Sequence, residues 1–140
     1  MHLYAPSFHH FEIQSQGKLT CADTIRHSLY VNYNNANCNS LWLLSNDSSN
    51  FEYPKGSGDI TIKGKSKNGW LYSNAIGKID AIHWISESLS VHHNSLQDII
   101  VHPKQYLHAE IHNKGNLLIP EWPSQWDKTE TDEGRLKLIP

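Results

Sequence analysis

Residues 91–115 read VHHNSLQDIIVHPKQYLHAEIHNKG, and the interpretation of the rest of the chain turns on them. Two adjacent histidines, His92 and His93, precede a segment carrying His108 and His112. A spacing of four puts His108 and His112 on one face of a helix, about 5–6 Å apart between Cβ atoms and within reach of one metal ion. Local punctuation predicts that helix: Pro103 presets φ for a first helical turn, and Gly115 stands where a left-handed C-cap is usual. Between them Lys104, Gln105, Leu107, Ala109 and Glu110 are good helix formers, and Leu107 pairs with Ile111 four residues on. Upstream, Leu89, Val91 and the Ile99-Ile100-Val101 run carry β propensity, with a turn at Asn94-Ser95. The order is strand, turn, strand, helix.

This order, with paired histidines leaving the first strand and His-x-x-x-His in the helix, resembles the ββα-metal finger of the HNH, or His-Me finger, nucleases. The resemblance spans about 25 residues, the length of the 91–115 motif. It implies that His93 is the general base on water and that His92, His108 and His112 hold one divalent metal, which stabilises charge on the scissile phosphate. Three imidazoles suit zinc or nickel, and magnesium also serves such nucleases. Lys114 would contact a phosphate.

The 140 residues fit one domain, in three portions: a β-rich 1–75, the candidate ββα element at 76–115, and an extended C-terminal segment at 116–140. Charged residues are 19% and the net charge is −2, so the chain has no global electrostatic attraction to nucleic acid. Lys63, Lys65 and Lys67 supply a local basic patch for DNA or RNA. The alternative is a non-enzymatic protein-binding module, such as an immunity protein that neutralises a toxin. Five tryptophans and six tyrosines offer anchors for such a partner, and the mild negative charge suits a basic one. A second enzymatic pattern fails: His108-Ala109-Glu110 looks like the His-x-Glu of zinc deaminases, but the required Pro-Cys-x-x-Cys is missing, since Cys21 and Cys38 both lie upstream. The two cysteines read as free thiols. Neither a secretory leader nor an 18-residue apolar run is present, so a cytoplasmic protein without a membrane segment is expected; the oligomeric state is open.

In the first half, Phe11 to Lys18, Ser28 to Tyr33 and Leu41 to Leu44 read as strands. Ser45 to Gly58 reads as a loop, on Asn46, Asp47, Pro54, Gly56 and Gly58. Ile60–Lys63 and Trp70–Tyr72 form a predicted antiparallel hairpin closed by Asn68-Gly69. Ile82–Ile85 reads as a strand leading to the histidine pair, with Trp84 as a packing residue. The expected fold is therefore α+β: a mainly antiparallel sheet with a short ββα metal-finger-like element, without an internal repeat.

Overall fold

The computed structural model describes residues 9–13, 16–20 and 24–139, and every strand pairing in it is parallel. Paired residues recur about once per twenty positions: Ser40 with Ile60, Ile60 with Ile79, Ile79 with Ile99, Ile99 with Leu117, and Leu117 with Leu136. Parallel pairing at one nearly fixed offset means that the chain coils on itself as a β-solenoid, each turn bonding to the turns before and after it.

The strands are β1 (His9–Ile13), β2 (Gln16–Thr20), β3 (Leu29–Gly56), β4 (Ile60–Ser73), β5 (Ile79–His93), β6 (Ile99–Ile111), β7 (Leu117–Ile119), β8 (Gln125–Glu130) and β9 (Leu136–Leu138). At 28 residues β3 exceeds one turn, so its two ends lie on successive turns, and the rings of Tyr33 and Tyr53 pack 5.0 Å apart.

Side chains alternate inward and outward along each strand, and equivalent inward positions stack into columns. One column is Ile60, Ile79, Ile99, Leu117 and Leu136; another is Phe51, Leu71, Val91 and Ala109; all are buried. Burying each leucine, isoleucine, valine or phenylalanine of these columns contributes about 1.5–3 kcal/mol relative to exposure. Trp42, Phe51 and Trp84 meet edge to face inside, with centroids 5.6 and 5.9 Å apart. The two buried indoles do not waste their N–H groups: Trp42 Nε1 donates to Tyr33 Oη at 2.6 Å and Trp84 Nε1 to Ser66 Oγ at 3.0 Å.

One corner repeats on nearly every turn. Gly58, Gly77, Gly115 and Gly134 stack there, with Gln97 on the turn between Gly77 and Gly115. A Cβ on Gly77 would lie 2.0 Å from the Gly58 carbonyl oxygen, one on Gly115 2.2 Å from that of Gln97, and one on Gly134 2.2 Å from that of Gly115. Backbones approach so closely that a side chain has no room. The next residue carries an acceptor that reaches the following turn. Asn39 Oδ1 accepts the Asp59 N–H at 2.9 Å, Asp59 Oδ1 the Lys78 N–H at 3.1 Å, Asp98 Oδ1 the Asn116 N–H at 2.9 Å, and Asn116 Oδ1 the Arg135 N–H at 3.0 Å. Lys78 has no acceptor, and the ladder skips there.

This architecture corrects the expected α+β fold, its antiparallel sheet and its ββα element. No helix occurs among the described residues. Residues 99–111 form β6 instead, with Pro103 buried and opposite Ser86. A spacing of four is one helical turn and also two strand repeats, so His108 and His112 share a face either way. Asn68-Gly69 closes no hairpin: β4 runs through it, and Gly69 is required because a Cβ would meet Trp84 at 2.6 Å and Leu89 at 2.8 Å. Ser45–Gly56 is strand rather than loop, since neighbouring turns satisfy its backbone despite its polar, turn-forming residues. The strand expected at Ile82–Ile85 lies within β5, with Trp84 buried, and Leu41–Leu44 lies within β3. Among the described residues Cys38 is a buried free thiol; Cys21 lies outside them.

Candidate functional site

The alternation that builds the core separates the histidine pair. His93 points inward and is 0% exposed, in a column with Tyr53, Ser73 and Ile111. Its Nε2–H donates to the Asn116 carbonyl at 3.0 Å, and its Nδ1 accepts the Ser95 N–H at 3.2 Å. Both nitrogens are therefore occupied by backbone, and burial pushes the pKa down, which fixes the neutral ring. A ring sealed from solvent with no free nitrogen cannot activate water, so the general-base role assigned to His93 does not survive.

His92 points outward, onto a face built from two neighbouring columns. Asn50, Trp70, Ser90, His108 and Asp127 form one; Glu52, Tyr72, His92, Glu110 and Thr129 form the other. Glu110 is the hub. Its Oε2 lies 3.1 Å from His92 Nδ1 and 3.1 Å from His108 Nε2, and its Oε1 lies 3.4 Å from His112 Nε2. His108 Nδ1 hydrogen-bonds to Asp127, which also accepts the Tyr106 hydroxyl, and His112 Nδ1 meets Thr131 Oγ1 at 2.9 Å. Because both His108 nitrogens face carboxylates, the ring favours its doubly protonated form. The Glu110 carboxylate first, with Asp127, raises the His108 pKa against partial desolvation, and the His108 and His112 bonds lower that of Glu110.

The structure thus brings together the three histidines assigned to a metal, His92, His108 and His112, but around Glu110, which the sequence presented only as a helix former and as part of the failed His-x-Glu pattern. On a strand, four residues span about 13 Å, against about 6 Å on a helix, so His108 and His112 flank Glu110 rather than each other. Among the described residues no group of three or more His, Cys, Asp or Glu stands ready to hold a metal ion. Aromatic rings continue the face: Trp70 lies 5.5 Å from His92 and 6.3 Å from Tyr72, the latter nearly parallel at 11°. Trp122 and Trp126 stack at 4.7 Å further along the chain and are 42% and 44% exposed.

The lysines assigned to nucleic acid are elsewhere. Lys63, Lys65 and Lys67 are exposed on the earlier part of β4, where Lys67 pairs with Asp47 at 3.7 Å and the neighbouring groove also contains Glu87. Lys114 is exposed at the glycine corner. The four do not converge with the histidines on one cationic surface.

A family model described as "Putative auto-transporter adhesin, head GIN domain" matches residues 1–120. No curated protein and no solved structure matches the chain. The matched family is not that of the His-Me finger nucleases, and the fold lacks their finger among the described residues. The nuclease resemblance, and with it metal-dependent cleavage of DNA or RNA, is overturned.

Proposed function

The chain belongs to the auto-transporter adhesin head GIN domain family, and from that premise we propose that it is a non-enzymatic recognition domain that binds a protein or cell-surface partner. The observation that supports this reading is the outward face carrying Trp70, Tyr72, His92, His108 and Glu110 on consecutive turns. A solenoid holds such a face rigid, since each turn is bonded to two others, and little ordering entropy is lost when a partner docks. Aromatic rings interleaved with hydrogen-bonding groups are the composition of interface hot spots. The protein-partner alternative read from the sequence agrees with this in its coarse form; the immunity-protein version has no support from the family.

Retention of protein-coated beads on bacterial and epithelial cell surfaces tests the proposal. A Tyr72→Ser/His108→Ala variant should release the beads, whereas Lys63→Ala/Lys65→Ala/Lys67→Ala should not. Equal retention by the face variant, or loss only in the lysine variant, would place recognition elsewhere.

A further inference from the structure

A groove of about 380 Å³ opens on this face beside Trp70, lined by Tyr30, Asn50, Glu52, Asn68, Trp70 and Ser90. It differs from the histidine cluster in how its polar side chains are engaged. Around Glu110 the polar atoms bond to one another. In the groove, the side chains of Asn50, Glu52, Asn68 and Ser90 and the indole N–H of Trp70 make no hydrogen bond among the described residues. Trp70 is half-buried and held by ring contacts to Tyr72 and His92, so the part of it that lines the groove is preorganised.

The chemistry of the lining narrows the ligand. The lining itself holds no lysine, arginine or histidine and does hold the Glu52 carboxylate, which disfavours phosphate, sulfate and carboxylate ligands. Two amides, a hydroxyl and an indole N–H offer donors, and the amides, the hydroxyl and the Glu52 carboxylate offer acceptors. Such a mixture beside an aromatic ring matches a polyhydroxylated molecule with an apolar C–H face, and a lipid would leave these groups unpaired. The column Asn50, Trp70, Ser90 sets a polar side chain one turn, about 4.8 Å, to either side of the Trp70 position. The volume lies at the small end of ligand pockets, about 300–1,000 Å³.

We propose that this groove binds a neutral mono- or disaccharide unit of a surface glycan, with one pyranose face stacked on Trp70 and its hydroxyls shared between Asn50, Asn68, Ser90 and Glu52. The site rests on the recognition reading above and names its ligand class.

Saturation-transfer NMR of the full chain with lactose, cellobiose, chitobiose and maltose, with sialyllactose and a sulfated disaccharide as anionic comparators, tests it. At least one neutral disaccharide should bind saturably, and Trp70→Ala should weaken it at least about tenfold while the circular dichroism spectrum stays unchanged. Trp126→Ala should leave it unaltered, and the same sugar added free should displace protein-coated beads from cells. Absence of neutral-sugar binding, preference for the anionic sugars, equal affinity in Trp70→Ala, or failure to displace the beads overturns the proposal. If the disaccharides fail while bead retention still depends on Tyr72 and His108, the recognition reading stands and this ligand assignment alone falls.

Discussion

Replacing Gly115 by Ala puts a methyl group where the next turn's backbone already lies. The new Cβ would be 2.2 Å from the Gln97 carbonyl oxygen and 2.8 Å from His93 Cε1, so an ordinary contact of 3.4 Å requires the two turns to part by more than 1 Å. Three hydrogen bonds cross the same corner: Gly115 N–H to Ser95 O at 3.0 Å, Ile99 N–H to Asn116 O at 3.0 Å, and Asn116 N–H to Asp98 Oδ1 at 2.9 Å. Opening by that amount stretches them to about 4 Å, beyond bonding distance. At about 0.5–1.5 kcal/mol each, with about 1–3 kcal/mol of overpacking, the substitution should cost about 2.5–7.5 kcal/mol. For a domain of this size that is a fall in Tm of about 10 °C or more. Thermal melts followed by circular dichroism at the β-sheet band measure it, with the adjacent exposed Lys114→Ala as control, expected within about 0.5 kcal/mol of wild type. A Gly115→Ala protein melting within 2 °C of wild type, roughly the effect of 1 kcal/mol or less, would refute the steric argument. It would show that the corner opens to admit a side chain, as the stack admits Gln97.

The two classes of histidine should separate in an NMR pH titration: His108 above the ordinary value of about 6.5 and His93 below it. The stability consequences are opposite in sign. The His108 contribution is full below its unfolded pKa and is lost as pH rises through the raised folded value; the His93 contribution is present above its unfolded pKa and is lost as pH falls toward the depressed one. The reverse order of titration would contradict the assigned environments. In the corner ladder, Asp98→Ala should cost about 1 kcal/mol in urea denaturation while Asp98→Asn, which keeps the acceptor, stays within about 0.5 kcal/mol. Equal losses in the two would point to charge rather than the hydrogen bond. Lys78→Asn should supply the missing acceptor and stabilise by about 0.5–1 kcal/mol, and no gain would show that the turn at Gln97 is out of register for it. That His92, His108 and His112 hold one divalent metal is a proposal that calorimetric titration of metal-free protein with Zn²⁺, Ni²⁺ and Mg²⁺ decides. One-site binding lost in His108→Ala/His112→Ala is its required outcome, and heats unchanged in that variant reject it.

Much of the solenoid is written in the sequence, but at a period longer than the windows that reveal helices and hairpins. Gly58-Asp59-Ile60, Gly77-Lys78-Ile79, Gln97-Asp98-Ile99, Gly115-Asn116-Leu117 and Gly134-Arg135-Leu136 are one corner repeated five times. The repeat hides because its spacing drifts between 18 and 20 residues, as from Ile99 to Leu117 and from Ile79 to Ile99, and because Gln97 interrupts the glycines. Local signals misled for a different reason. Pro103, Gly115 and the four-residue histidine spacing each fit a helix, yet period-two burial of Leu107, Ala109 and Ile111 fits a strand equally well, and only neighbouring turns decide. Of the site, the histidines were legible as a cluster. Glu110 as their hub, Trp70 above them and the burial of His93 depend on which residues stand one turn away, and local pattern carries no such information.

The corner also governs how such a chain can change length over evolution. The single sheet is interrupted by short connections, and those after β5 and β6 are equally long, residues 94–98 and 112–116; the count per turn differs there inside the strands, where β5 has 15 residues and β6 has 13 and the register shifts between Asp80 and Ile85 and between Ser86 and Ser88. A residue gained in a connection shifts nothing beyond its own turn. One gained within a strand would swap the inner and outer columns of every residue up to the next corner unless a bulge absorbs it, as the register shifts between β5 and β6 do. Duplications of whole turns, by contrast, lengthen the molecule while preserving every column, so a lineage could extend or shorten its presenting face by a fixed increment and keep both its interior and the hydrogen-bonded ladder intact.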